Sequence, residues 1–188
     1  MLDTGVPVSA DRRRLLKRGL LGGALLFVGG ALPLALRSTL VRRKPVRGLK
    51  LLSVEEHAIF AAVAARFAPG DGAGPAWPTA DALDCAGKVD ALMATALPSV
   101  GNELRQLLHL FESALFGLPL TGKPTPFTRC APADQDARLE AWRHSRVALL
   151  RSGYQALKRL AHATYYSSPE VYALVGYSGP PDVPRGPV

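Results

Sequence analysis

A chain of 188 residues, 48% of them hydrophobic, is long enough for one domain with a buried core and too apolar for a disordered protein. Its net charge of +8 suggests an anionic partner, but residues 1–50 hold eleven Lys/Arg against Asp3 and Asp11 (net +9), whereas residues 51–188 hold twelve against thirteen (net −1). The part expected to fold lacks the clustered cations that phosphate contacts require, which argues against nucleic acid as a partner.

The chain opens on a leader. The stretch Asp11-Arg12-Arg13-Arg14-Leu15-Leu16-Lys17 resembles the twin-arginine export motif, with Arg12, Arg13, Leu16 and Lys17 at the signal positions. Asp11 stands where Ser or Thr is usual, and Leu15 where Phe is. Residues 19–36 then form an uncharged apolar run of eighteen residues, which at about 1.5 Å per residue just covers a bilayer core. Its glycines and Pro33 keep it only moderately hydrophobic, as signals of this route tend to be. No clean Ala-x-Ala site follows, and Arg42-Arg43-Lys44 is basic on the side to be translocated, against the expectation for a permanent anchor. An export signal read by the Tat translocon is the preferred reading, cleaved or not, with an ordinary membrane anchor as the alternative. Residues 1–50 are thus expected to be signal or anchor plus basic linker, and residues 51–188 a domain lying in the periplasm at the inner membrane.

Within that domain, Ser53-Val54-Glu55-Glu56 fits a capping box, and Ile59, Phe60, Val63, Ala64 and Phe67 continue it at helical spacing to Pro69-Gly70. The Gly- and Pro-rich residues 69–78 form a loop whose Gly70-x-Gly72-x-Gly74 spacing is not that of a dinucleotide loop. Thr79 or Asp81 is expected to cap a second helix to about Leu97, and a third runs from about Ser99 to Phe116. Residues 121–129 connect to a last helical stretch, begun at Pro132-Ala133-Asp134 and running to about Tyr165, with a bend near Ser145 or Gly153. No alternating strand pattern appears. The expected fold is all-α, a bundle of four to five helices ending in an extended Gly/Pro-rich tail, with the leader as an added N-terminal helix. All five tyrosines (Tyr154, Tyr165, Tyr166, Tyr172 and Tyr177) lie in the last thirty-five residues.

Little in the domain has the spacing of catalytic chemistry. Cys85 and Cys130 stand outside any haem-attachment motif; a disulfide between them and two separate buried thiols are both open readings for an exported protein. His57, His109, His144 and His162 do not form the two Glu-x-x-His pairs of a di-metal bundle, so solvent-facing or hydrogen-bonded histidines are expected. No serine sits in a nucleophile elbow.

Several segments together are similar to the gluconate 2-dehydrogenase subunit 3 family. They are Leu52-Ser53-x-x-Glu56, Phe67-Ala68-Pro69, Trp142-x-x-Ser145, Leu157-Lys158-x-Leu160, Tyr165-Tyr166-Ser167-Ser168-Pro169 and Gly176-Tyr177-Ser178-Gly179-Pro180. Segment 70–98 departs from the family pattern. The resemblance implies a small accessory subunit without cofactor of its own. Its partners would be a large glucose-methanol-choline type flavoprotein holding FAD and a cytochrome c subunit holding haem. An exported enzyme or ligand-binding protein acting alone and a tethered structural protein are the alternatives. For the first reading, Tyr165, Tyr166, Tyr172 and Tyr177 are the candidate partner interface, since tyrosine offers contact area at low entropic cost.

Overall fold

The computed structural model describes residues 39–42, 44–69, 77–114 and 124–181. These residues form six α-helices and no strand. The helices are α1 (Val54–Phe67), α2 (Cys85–Ala94), α3 (Pro98–Glu112), α4 (Pro132–Arg143), α5 (Ala148–Tyr166) and the short α6 (Pro169–Tyr172), with 3₁₀ turns at Phe127–Arg129 and Ala173–Val175. The twin-arginine residues and the apolar run 19–36 lie outside the described residues, and no described helix is long and apolar enough to cross a membrane.

Helix α1 is the axis of the bundle. It is buried on every side from Glu56 to Ala64 and contacts α2, α3, α4 and α5, the position expected of a helix apolar on every face beyond its first turn. The capping box forms as expected: Glu56 N–H donates to Ser53 Oγ at 3.1 Å, and Ser53 N–H donates to Glu56 Oε2 at 2.8 Å. Ala68, before Pro69, has turned to extended backbone and ends the helix.

Helix α2 begins later than Thr79 or Asp81. Thr79 caps only a turn, accepting from Ala82 N–H at 3.1 Å, and Asp84 then adopts a left-handed conformation (φ 49°) that breaks the chain direction. The Asp84 carboxylate, accepting from Gly87 N–H at 3.2 Å, is the cap in use. Helix α3 stops at Glu112 rather than Phe116, with Ser113 already in an open conformation.

The expected long C-terminal helix is two helices. Around Ser145 the side chain competes with the helical ladder: Ser145 Oγ accepts from Val147 N–H at 3.1 Å, while its carbonyl takes Arg151 Nη1 at 2.6 Å. Gly153, the other bend candidate, lies inside α5. A methyl group there would come within 2.7 Å of Leu107 Cδ1 and 2.9 Å of Trp142 Cζ3, so glycine lets α5 close onto the buried indole. Trp142 stands edge-on to Phe111 at 4.7 Å, and Phe111 lies tilted against Phe127 at 4.5 Å, joining α3, α4 and the first 3₁₀ turn in one core.

The compact unit that holds the bundle starts at Thr39. Residues 39–42 and 44–52 form a strap laid across the bundle. Leu40 N–H donates to Thr128 Oγ1 at 2.9 Å near one end, and the Lys50, Leu51 and Leu52 amides reach one carboxylate at the other.

Candidate functional site: the strap junction and the C-terminal arm

Asp90 on α2 holds the C-terminal end of the strap. Its Oδ2 accepts from Lys50 N–H at 2.7 Å, and its Oδ1 accepts from Leu51 and Leu52 N–H at 2.9 and 2.7 Å. Burial pulls this carboxyl upward, but the three amides outweigh it and hold Asp90 below the usual aspartate value. Glu112 and Thr128 hold the other end. Glu112 accepts from Thr128 N–H at 3.0 Å and Thr128 Oγ1 at 2.6 Å, and the Thr39 side chain also bonds to it. Burial prevails here and raises the Glu112 pKa, despite those donors and the charge of Arg138.

Arg138 is itself buried and fixes the segment before the strap's anchor. Its Nη2 donates to Thr125 O at 2.7 Å, its Nη1 reaches Phe111 O at 3.3 Å, and its guanidinium lies over the Phe127 ring. The sequence pattern singles out neither Asp90 nor Arg138. A lone Asp, Glu or Arg on a helix looks like a solvated face, and only the packing shows what each one grips.

The histidines divide. His109 reaches Glu56 Oε1 at 2.9 Å rather than the nearby Glu112, and His144 meets Glu140 at 2.8 Å. His162 packs edge-on between Phe67 and Tyr166. Glu56 also takes Arg105 Nε at 3.0 Å. Burial raises this carboxyl, but the Ser53 amide, Arg105 and His109 together keep its pKa below the ordinary value.

His57 is the exception to the expected satisfied or solvent-facing histidines: it is 3% exposed, and neither ring nitrogen has a hydrogen-bond partner. It lines a hollow of about 170 Å³ beneath the strap, with Val46, Asp84, Lys88 and Asp90. Burial lowers its pKa, opposed by the charges of Asp84, Asp90 and Asp81. Among the described residues, no three His, Cys, Asp or Glu side chains could hold a metal ion.

The two cysteines are separate free thiols. Cys85 is buried at the start of α2, Cys130 is half-buried and donates to the Pro126 carbonyl at 3.4 Å, and burial raises both pKa values.

The four tyrosines do not form one surface. Tyr165 is 1% exposed and donates to Pro78 O at 2.7 Å, which locks the end of α5 to the segment before α2 and leaves it no face for a partner. Tyr166 is exposed beside it. Tyr172 and Tyr177 meet edge to face at 5.1 Å, where Gly176 (φ 69°) turns the chain back so that Tyr177 N–H reaches Tyr172 O at 2.9 Å. Leu174 and Val175 stand exposed on the turn between them. The C-terminal arm is therefore folded as far as Tyr177; residues 182–188 of the expected extended tail lie outside the described residues.

The described residues thus form a helical bundle crossed by a basic strap, with an exposed aromatic and aliphatic turn at its C-terminal end. The family model for gluconate 2-dehydrogenase subunit 3 matches residues 54–179, from the first residue of α1 to the end of this arm, and the chain belongs to that family. It is accordingly an accessory subunit of a dehydrogenase complex. No curated protein and no solved structure matches it.

Proposed function

We propose that this chain is the non-catalytic small subunit of a periplasmic, membrane-associated flavin-dependent dehydrogenase of sugars or alcohols, and that it assists export and assembly of the catalytic flavoprotein. In this reading FAD belongs to the large glucose-methanol-choline type subunit and haem to a cytochrome c subunit, and the chain binds neither. The observation that carries it is the family match over nearly the whole helical unit, on a chain whose leader has Arg12-Arg13 ahead of an apolar run. The leader would be the address for the Tat translocon, and the bundle the handle by which a folded partner is taken along.

The partner surface is the C-terminal turn: Tyr166, Tyr172 and Tyr177 with Leu174 and Val175. Tyr177 and Val175 are each 47% exposed, and Leu174 is 36% exposed. Large apolar side chains left in water side by side suit a docking face. Co-expression with a glucose-methanol-choline type flavoprotein tests the whole reading. Replacing Arg12 and Arg13 with Lys should leave both polypeptides in the cytoplasm, and a flavoprotein that still reaches the periplasm would refute it.

A further inference from the structure

We propose that the strap over residues 39–50, which follows the apolar run 19–36 in sequence, is a membrane-contact surface that seats the bundle on an anionic bilayer. The proposal builds on the membrane role of that run, and adds a lipid-headgroup contact that the run does not supply.

The strap is sorted like a built surface rather than a loose linker. Val41, Pro45 and Leu49 are half-buried against the bundle, whereas Arg42, Lys44, Val46, Arg47 and Lys50 are exposed. Apolar residues therefore recur inward every fourth position, and the four described cations are exposed. Among the described residues Arg42, Lys44, Arg47 and Lys50 form no ion pair, and the whole segment holds five basic residues and no acidic one. Val46 is 79% exposed in the middle of them, an apolar side chain offered at the level of the charges.

Both ends are pinned, by Thr128 and by Asp90, so the charges are held in place rather than spread along a free tail. In sequence the strap begins three residues after Leu36, the end of the apolar run. Among polyanions a bilayer fits better than nucleic acid, because the strap has no aromatic ring to stack on bases and the rest of the domain is near neutral. Each basic side chain at an anionic headgroup layer strengthens the contact by about fivefold.

The test uses the full chain with an environment-sensitive dye on Val46→Cys in a Cys130→Ser background, since Cys85 is buried. The chain is reconstituted with vesicles of phosphatidylcholine alone or mixed with phosphatidylglycerol, doped with a headgroup-level quencher. The dye should be quenched in the mixed vesicles, much less in the neutral ones, and less again as salt is raised. The double variant Arg47→Glu/Lys50→Glu, which touches only exposed side chains, should reduce the contact at least tenfold with the thermal midpoint unchanged. Equal quenching in both vesicle types, or quenching indifferent to charge reversal, would overturn the proposal. Flotation with neutral vesicles reports on the apolar run alone, so failure of that reading shows as a chain that does not float with them.

Discussion

Replacing Asp90 with Ala removes the single acceptor that gathers the Lys50, Leu51 and Leu52 amides. Hydrogen bonds to a charged group contribute ~1.5–3 kcal/mol each, but three donors on one carboxylate do not add. The Lys50 amide regains water once the strap lifts, whereas Leu52 is 4% exposed and does so only if its side chain leaves the core. A net loss of about 3 kcal/mol follows, or roughly 10 °C in thermal midpoint for a domain of this size.

Asp90→Asn should lose most of the same stability, since it keeps the shape but turns an amide donor toward backbone donors. Urea unfolding gives the free energy, and hydrogen exchange at residues 50–52 locates it. Because the folded pKa of Asp90 is depressed, its stabilisation is fully present above the unfolded value near 3.9 and is lost as pH falls below that through the folded value. The acid limb of the stability curve should therefore flatten in the variants. A loss under ~0.5 kcal/mol with unchanged exchange at 50–52 would show that the strap is not held by this carboxylate.

The buried His57 has a lowered pKa, so the unfolded chain takes up its proton first as pH falls below about 6.5, and stability should decline from there; His57→Leu should remove that component from a pH series of unfolding curves. Gly153→Ala should destabilise by about 1–2 kcal/mol, as crowding against Trp142 outweighs the gain in helix propensity. Arg138→Leu leaves the Thr125 carbonyl with only the long Cys130 thiol contact and Glu112 without the charge of Arg138, and should lose about 3 kcal/mol in denaturant unfolding. Intact mass should be the same before and after reduction, with Cys130 alkylated well before Cys85. Tyr177→Ala with Leu174→Ser should leave the chain's own unfolding within ~0.5 kcal/mol while abolishing co-purification of the flavoprotein.

What could be read from the chain divides by the range of the forces involved. The start of α1 was legible because a capping box is local: Ser53 and Glu56 satisfy each other three residues apart. The break between α4 and α5 was half legible. Ser145 marked the place, but apolar spacing continues across it, and only the Ser145–Val147 and Arg151 bonds decide for a break over a bend. Asp84 hid the start of α2, since its left-handed backbone is a conformation that composition does not reveal. Tyr165 and Tyr166 are neighbours with the same side chain, yet α5 turns one toward Pro78 and the other to solvent. The strap was missed for a related reason: its charge matches the leader, while its attachment runs through Asp90 and Thr128, 38 and 88 residues away from the amides they bind.

That attachment changes what residues 1–38 are joined to. The sequence suggests a basic linker between signal or anchor and domain, and Thr39, Leu40 and residues 50–52 are fixed to α2, α3 and the turn before α4. The strap can dock only after α1, α2 and the Phe127 turn have come together, because Asp90 and Thr128 stand on different elements of the same core. On the proposed export reading, the leader is followed by a junction that orders only when the domain has folded, so a destabilised core frees the strap before it unfolds the bundle. Variants such as Asp90→Ala would then impair export more than their loss of global stability accounts for, whereas Gly153→Ala, which strains the far contact between α4 and α5, would impair it only in proportion to that loss.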